Sequence, residues 1–152
     1  MWANNFRKYV YAGVDYKSAR SIQDCDKLLQ NLFHAIFLRN VNSLQIKEAF
    51  SKVKNSALVK LEENKADDIE KILDKSYSLG IRKNHDYGSQ NILKYGIIGL
   101  IVRLGDKLAR VSTLKNIPNT KALVTDEQVE DTLLDIINYA TYGEMLADEI
   151  WE

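Results

Sequence analysis

An all-α fold, a compact bundle of four to five helices in one domain, is what this sequence predicts, on three observations. The 152 residues include a single proline and only seven glycines. Apolar residues return every three or four positions, the period of a helix with one buried side, so strands are not needed. The length suits one domain, able to bury about two-thirds of its unfolded surface without a disulfide or structural metal.

Taken in order, the first 20 residues, with Tyr9, Tyr11, Gly13 and Tyr16, show no clear period and read as an arm packed on the body. Ser21 with Asp24 resembles a capping box, and Leu28, Leu29, Leu32, Phe33, Ile36 and Phe37 then form a helical stripe to about residue 39. Ser43 caps a second helix whose apolar face is Ile46, Ala49, Phe50, Val53, Ala57 and Leu61; "EENKADD" reads as a solvated turn. A short third helix, 67–79, ends at Gly80 as a left-handed cap, and "RKNHDYGS" is the loop after it. A long helix or broken helix pair covers 90–114, with Gly96, Gly99 and Gly105 lowering its stability by up to about 1 kcal/mol each. "KNIPNTKALV" connects to a last helix, capped by Thr125 with Gln128 and reaching about residue 149.

The function classes that composition excludes are broad ones. With 21 basic and 21 acidic residues the chain offers no general nucleic-acid or membrane surface. "YGIIGLIV" is cut short by Arg103, well below a membrane span. One cysteine, Cys25, and no leader-like start point to the cytoplasm. The balance of charge is nonetheless local: Arg103, Lys107, Arg110, Lys115 and Lys121 stand against Asp106 alone, and every charged residue after Lys121 is acidic.

Two polar stripes carry the functional signal. On 97–114, Ile97, Ile101, Leu104, Leu108 and Val111 share one face while Arg103, Asp106, Lys107 and Arg110 line the other. On the last helix Val129, Leu133, Ile136, Ile137 and Ala140 form the core face, opposite Glu127, Asp131, Asp135, Asn138 and Tyr142. Leu134, Tyr139, Met145 and Leu146 flank that stripe, so this helix is too apolar all round to be half exposed. Both stripes also read as plain solvated faces. Against this, Glu127, Asp131 and Asp135 repel one another at four-residue spacing, and something outside the helix must offset the repulsion. Either the basic stripe or a hard divalent cation does so, and the two together would hold a nucleotide polyphosphate.

The segments "KNHDYG" (83–88), Asn91, "GIIGLIVRLGDKLARV" (96–111) and "DEQVEDTLLDIINYATYGEML" (126–146) together resemble the nucleotide modification associated domain 1 family, common in bacteriophages. The likeness divides the chain into an N-terminal extension, 1–80, and a nucleotide-associated core, 81–150. The family is similar in pattern to the MazG-like all-α nucleotide pyrophosphohydrolases, which implies a MazG-like core, magnesium or manganese on helical carboxylates, and a homodimer or higher homo-oligomer.

The resemblance implies catalytic roles for Asp106, Glu130, Asp131 and Asp135, and metal ligation by Asp106, Glu127, Asp131 and Asp135. Nucleotide binding falls to Lys83, Asn84, Asp86, Tyr87, Asn91, Arg103, Lys107, Arg110 and Asn138, with Tyr87 either packing or stacking on a base. Where the hydrolases carry glutamate three residues before the last acid, this chain has Thr132. Hydrolysis of a nucleoside triphosphate, non-catalytic sequestration of a signalling nucleotide, and a helical protein-interaction module therefore all stay open. His85 and Asp86 do not make a metal-dependent HD phosphohydrolase, since His34 is the only other histidine. "GIIGL" lacks the lysine of a phosphate loop, and Cys25 reads as structural.

Overall fold

The computed structural model describes residues 1–65, 67–114 and 122–151, and of Lys65, Tyr87 and 122–127 the backbone alone. Among the described residues it holds no strand and six helices: α1 (Trp2–Tyr11), α2 (Ile22–Phe37), α3 (Ser43–Lys65), α4 (Ile69–Tyr87), α5 (Gln90–Leu114) and α6 (Ala122–Ala147). The all-α class stands, and the count of four to five helices is corrected to six.

The additional helix is α1, where the sequence suggests an unpatterned arm. Trp2, Phe6, Tyr9 and Val10 fall at i, i+4, i+7 and i+8, a helical stripe; Phe6 and Val10 are completely buried. The chain does pack on the body there, but as a helix against α6 and α4.

Helix α4 runs past Gly80 to Tyr87, so "RKNHDYGS" is mostly helix and the loop shrinks to Gly88 and Ser89. Gly80 serves close packing, not capping: a Cβ there would lie 2.4 Å from Cζ of Phe6. The left-handed role belongs to Gly88, at φ +76° and ψ 156°, a conformation that only glycine adopts without strain. Gly96, at φ +61° and ψ −151°, breaks α5 in the same way, as the broken-pair expectation allowed.

The caps follow the sequence with small shifts. Ser21 Oγ accepts the Asp24 N–H at 3.1 Å, as expected. For α3 the box sits one residue earlier than Ser43: Asn42 Oδ1 accepts from the Gln45 N–H and Gln45 Oε1 from the Asn42 N–H, both at 2.9 Å. Helix α6 starts at Ala122, so Thr125 lies within it and lacks the extended backbone of a cap. Its end at Ala147 precedes Glu149, whose φ of +57° turns the chain out of the helix.

Helix α6 is the axis of the fold. Helices α1, α3, α4 and α5 all pack on it, and from Thr132 to Met145 every residue but the half-buried Tyr139 is buried. One apolar core joins Phe50, Val53 and Leu58 of α3 to Leu104 and Leu108 of α5 and to Leu133, Ile136 and Ile137 of α6. Residues 1–80 and 81–150 thus share a single core. No helix among the described residues is long and apolar enough to cross a membrane.

A charged pair lies inside this core. Lys54 Nζ donates to the carbonyls of Tyr9 (2.6 Å) and Ala12 (2.9 Å) and to Glu144 Oε1 (3.0 Å), with Lys54 fully buried. Burial pushes the pKa of Lys54 down and that of Glu144 up, and each charge pulls the other back toward ionisation. The lysine closes the unpaired carbonyl end of α1 and fixes it to α3 and α6.

Candidate functional site

The face of α6 that carries Asp135, Asn138, Tyr139 and Tyr142, at i, i+3, i+4 and i+7, forms the floor of a cleft of about 380 Å³. The end of α4 supplies Lys83 and Asn84, the following turn Gly88 and Ser89, and α5 supplies Asn91, Ile92 and Arg103. Trp2 of α1 and Trp151 close the aromatic end. The volume falls within the range of small-molecule sites, about 300–1,000 Å³.

The basic end is built around Asp135, which is 8 % exposed. Lys83 Nζ donates to its Oδ1 at 2.6 Å and Lys107 Nζ to its Oδ2 at 3.0 Å. Two ammonium groups on one carboxylate leave a surplus of positive charge. Arg103 adds to it, its guanidinium 6.0 Å from the centre of the Tyr139 ring. The repulsion along the acidic stripe is thus offset at Asp135 by cations from α4 and α5, one of the two solutions expected from sequence.

At the aromatic end Trp2 stacks on Phe6 (5.0 Å) and meets Trp151 edge-on (5.6 Å, 71°), and Trp151 meets Tyr142 edge-on (5.4 Å, 88°). Trp151 Nε1 donates to the Ser89 carbonyl at 3.1 Å, tying this end to the turn between α4 and α5. Burial, then the nearby Tyr139 and Asp135, push the Tyr142 phenol upward, so it stays protonated. Asn138 Nδ2 donates to the Ser76 carbonyl at 3.0 Å, holding α4 against α6.

The cleft brings together six of the residues expected to bind nucleotide: Lys83, Asn84, Asn91, Arg103 and Asn138, with Lys107 joined to it through Asp135. Other expected residues lie elsewhere. Asp86 is exposed at the end of α4, 3.5 Å from His85. Asp106 and Arg110 lie on the exposed side of α5. Glu130 pairs with Lys75 at 3.1 Å, and Asp131 borders the same separate groove, with Asp74 and Arg82. The side chains of Tyr87 and Glu127 lie outside the described residues.

Among the described residues no three of His, Cys, Asp and Glu gather as metal ligands. Among the same residues Asp135 is the only carboxylate lining the cleft, and both of its oxygens already accept from lysine. That donor set does not fit magnesium or manganese, which take several oxygen ligands and are repelled by adjacent ammonium groups. Thr132, where the hydrolase pattern has glutamate, is buried and donates its hydroxyl to the Gln128 carbonyl at 2.7 Å.

Sequence reasoning missed Trp2 and Trp151. The signal was slight: they are the only two tryptophans, one near each end, and Trp2 is in helical register with Phe6. Cys25 is completely buried, and burial pushes its thiol pKa up, in keeping with a structural role.

Residues 83–145 match the family model described as nucleotide modification associated domain 1. The matched segment begins at Lys83 and takes in the end of α4, all of α5 and α6 through Met145; Trp2 and Trp151 lie outside it. No curated protein and no solved structure matches the chain. The likeness to the pyrophosphohydrolases rests on sequence pattern alone.

Proposed function

We propose that the chain binds a nucleotide in this cleft, its phosphates toward Lys83, Arg103 and Lys107 and its base among Trp2, Tyr139, Tyr142 and Trp151. The observation that carries the reading is the division of one cleft into a cationic end and an aromatic end, with Asn84, Asn91 and Asn138 also in its lining. Arginine and lysine neutralise phosphate oxygens through charge-assisted bonds. Aromatic rings give a flat base apolar contact. The segment that supplies most of these residues is the one that matches a nucleotide-associated family.

Binding without hydrolysis is the form of the reading that the donor set favours. In-line attack on a polyphosphate needs an activated water and a way to neutralise the developing charge. Asp135, the one carboxylate of the cleft among the described residues, is engaged by two lysines and is not placed to take a proton from water. A role as a nucleotide sink or sensor follows.

The test is incubation of the full chain with a panel of nucleoside triphosphates, with and without magnesium or manganese. Mass spectrometry is then applied to the solution and to ligand released from the denatured protein. An unchanged nucleotide recovered from the protein supports the proposal. Metal-dependent appearance of monophosphate and pyrophosphate, or no retained nucleotide, overturns it.

A further inference from the structure

Two polar atoms of residues lining the cleft have no hydrogen-bond partner among the described residues, although both are shielded from solvent: Nε1 of Trp2, a donor, and Oδ1 of Asn138, an acceptor; Oγ of Ser76, outside the lining, is the third such side-chain atom. Folded proteins leave few such groups, and two in the lining of a ligand-sized cleft call for a reason. The other indole of the cleft makes the contrast, since Trp151 Nε1 is satisfied by the Ser89 carbonyl at 3.1 Å. For Asn138 the amide orientation is determined: its Nδ2 serves the Ser76 carbonyl at 3.0 Å, and the reverse orientation would set two acceptors against each other. Oδ1 is therefore the atom left over.

We infer that Trp2 Nε1 and Asn138 Oδ1 read the polar edge of the base, the first donating to a ring or carbonyl acceptor and the second accepting from an N–H. This inference rests on the nucleotide reading above. The ligand class it names is a purine or pyrimidine nucleotide with an unblocked amide or amidine edge. A nucleotide methylated on that edge is rejected, and a bare polyphosphate, which offers neither atom a partner, binds more weakly.

Both atoms are shielded from solvent, and in such a place an unmet hydrogen bond discriminates most strongly. The side chains that cover them shift as the base enters, with Asn138 still held through Nδ2 by the Ser76 carbonyl. Trp2 lies outside the segment that matches the family. Phosphate binding then belongs to the matched segment, and choice of base draws on a helix outside it.

The experiment titrates the full chain with ATP, GTP, CTP and UTP, and with inorganic tripolyphosphate as the base-free probe. Calorimetry gives affinity, and the indole N–H resonances of the 15N-labelled protein report on Trp2 and Trp151. A Trp2→Phe variant, checked for fold by circular dichroism, identifies the Trp2 signal and removes the donor; a Trp151→Phe spectrum makes the same assignment if Trp2→Phe fails to fold.

At least one nucleotide binds more tightly than tripolyphosphate and moves the Trp2 indole signal downfield, while tripolyphosphate leaves it in place. Trp2→Phe weakens that nucleotide roughly five- to tenfold and leaves tripolyphosphate unchanged. If the nucleotide outbinds tripolyphosphate but the Trp2 resonance does not respond, or Trp2→Phe binds it as the wild type does, the inference is overturned and the nucleotide reading stands. If no nucleotide binds the wild type, both are overturned.

Discussion

Replacing Gly80 with alanine tests whether α1 sits where the cleft needs it. Alanine in the middle of a helix ordinarily stabilises by about 1 kcal/mol relative to glycine. At Gly80 the new Cβ would stand 2.4 Å from Cζ and 2.5 Å from Cε2 of Phe6, about 1 Å inside ordinary carbon contact of roughly 3.5–4 Å. The ring cannot yield easily. Phe6 is fully buried, with Trp2 at 5.0 Å, Tyr142 at 5.4 Å and Tyr77 at 5.8 Å around it.

Overpacking costs about 1–3 kcal/mol, and an overlap of this size with an enclosed ring falls in the upper part of that range, about 2–3 kcal/mol, so the net effect is a destabilisation of about 1–2 kcal/mol after the helix gain. Gly105→Ala is the control, because no atom lies within 4 Å of its new Cβ and the gain of about 1 kcal/mol is kept. For a chain of this length, thermal melts should show Gly80→Ala lower by about 2–8 °C and Gly105→Ala higher by about 2–4 °C. If both variants melt above the wild type, Phe6 does not press on Gly80, and the aromatic wall built on Trp2 loses its support.

Asp135→Asn removes the counter-charge of Lys83 and Lys107. Tripolyphosphate affinity by calorimetry should rise about fivefold, from roughly 1 kcal/mol of relieved repulsion in a wet cleft; weaker binding would mean that the carboxylate holds something the ligand needs. Gly88→Ala forces a side chain into φ +76° and ψ 156°, costing about 1–3 kcal/mol in urea melts, and should weaken nucleotide binding by displacing Ser89. Burial first, and the bond to Asp148 second, push the Tyr9 pKa up to about 12 from 10. The unfolded chain therefore loses that proton first, and stability fully present below pH 10 falls as pH rises to 12. Melts across that interval should fall less steeply for Tyr9→Phe, and equal slopes would assign the alkaline loss to other groups.

Periodicity gave the helices of residues 22–114 and the burial of the last helix, because one-sided and all-round burial leave different apolar patterns. It gave less at punctuation points. Gly80 and Gly88 look alike in sequence, yet one is a contact with Phe6 and the other a backbone reversal; the distinction depends on α1, which lies more than 70 residues upstream. The basic half of the cleft was legible because Arg103 and Lys107 share a helix face. The joining of Lys83 and Lys107 at Asp135 depends on how α4, α5 and α6 pack, and spacing along the chain does not contain it. The carboxylates form one set by their spacing on α6, and Asp131 and Asp135 do share a face, but Asp135 is buried under lysines of α4 and α5 while Asp131, one turn earlier, is exposed. Lys54 was invisible for a related reason: a lysine in an amphipathic pattern reads as solvated unless its acceptors, two carbonyls of another helix end and Glu144, are known.

Lys54 also links the two ends of α1. The C-terminal carbonyls of that helix are gripped by a buried ammonium, while its first residue borders the cleft. The helix is thus anchored in the core at its C-terminal end, with its first residue at the cleft. A ligand that touches Trp2 then acts on the opening equilibrium of the whole helix, and amide exchange slows along Phe6 to Val10, residues that never meet the ligand. Occupancy of the cleft should then be measurable as protease resistance at the N-terminal helix, and unchanged proteolysis with a ligand bound would uncouple the helix from the cleft.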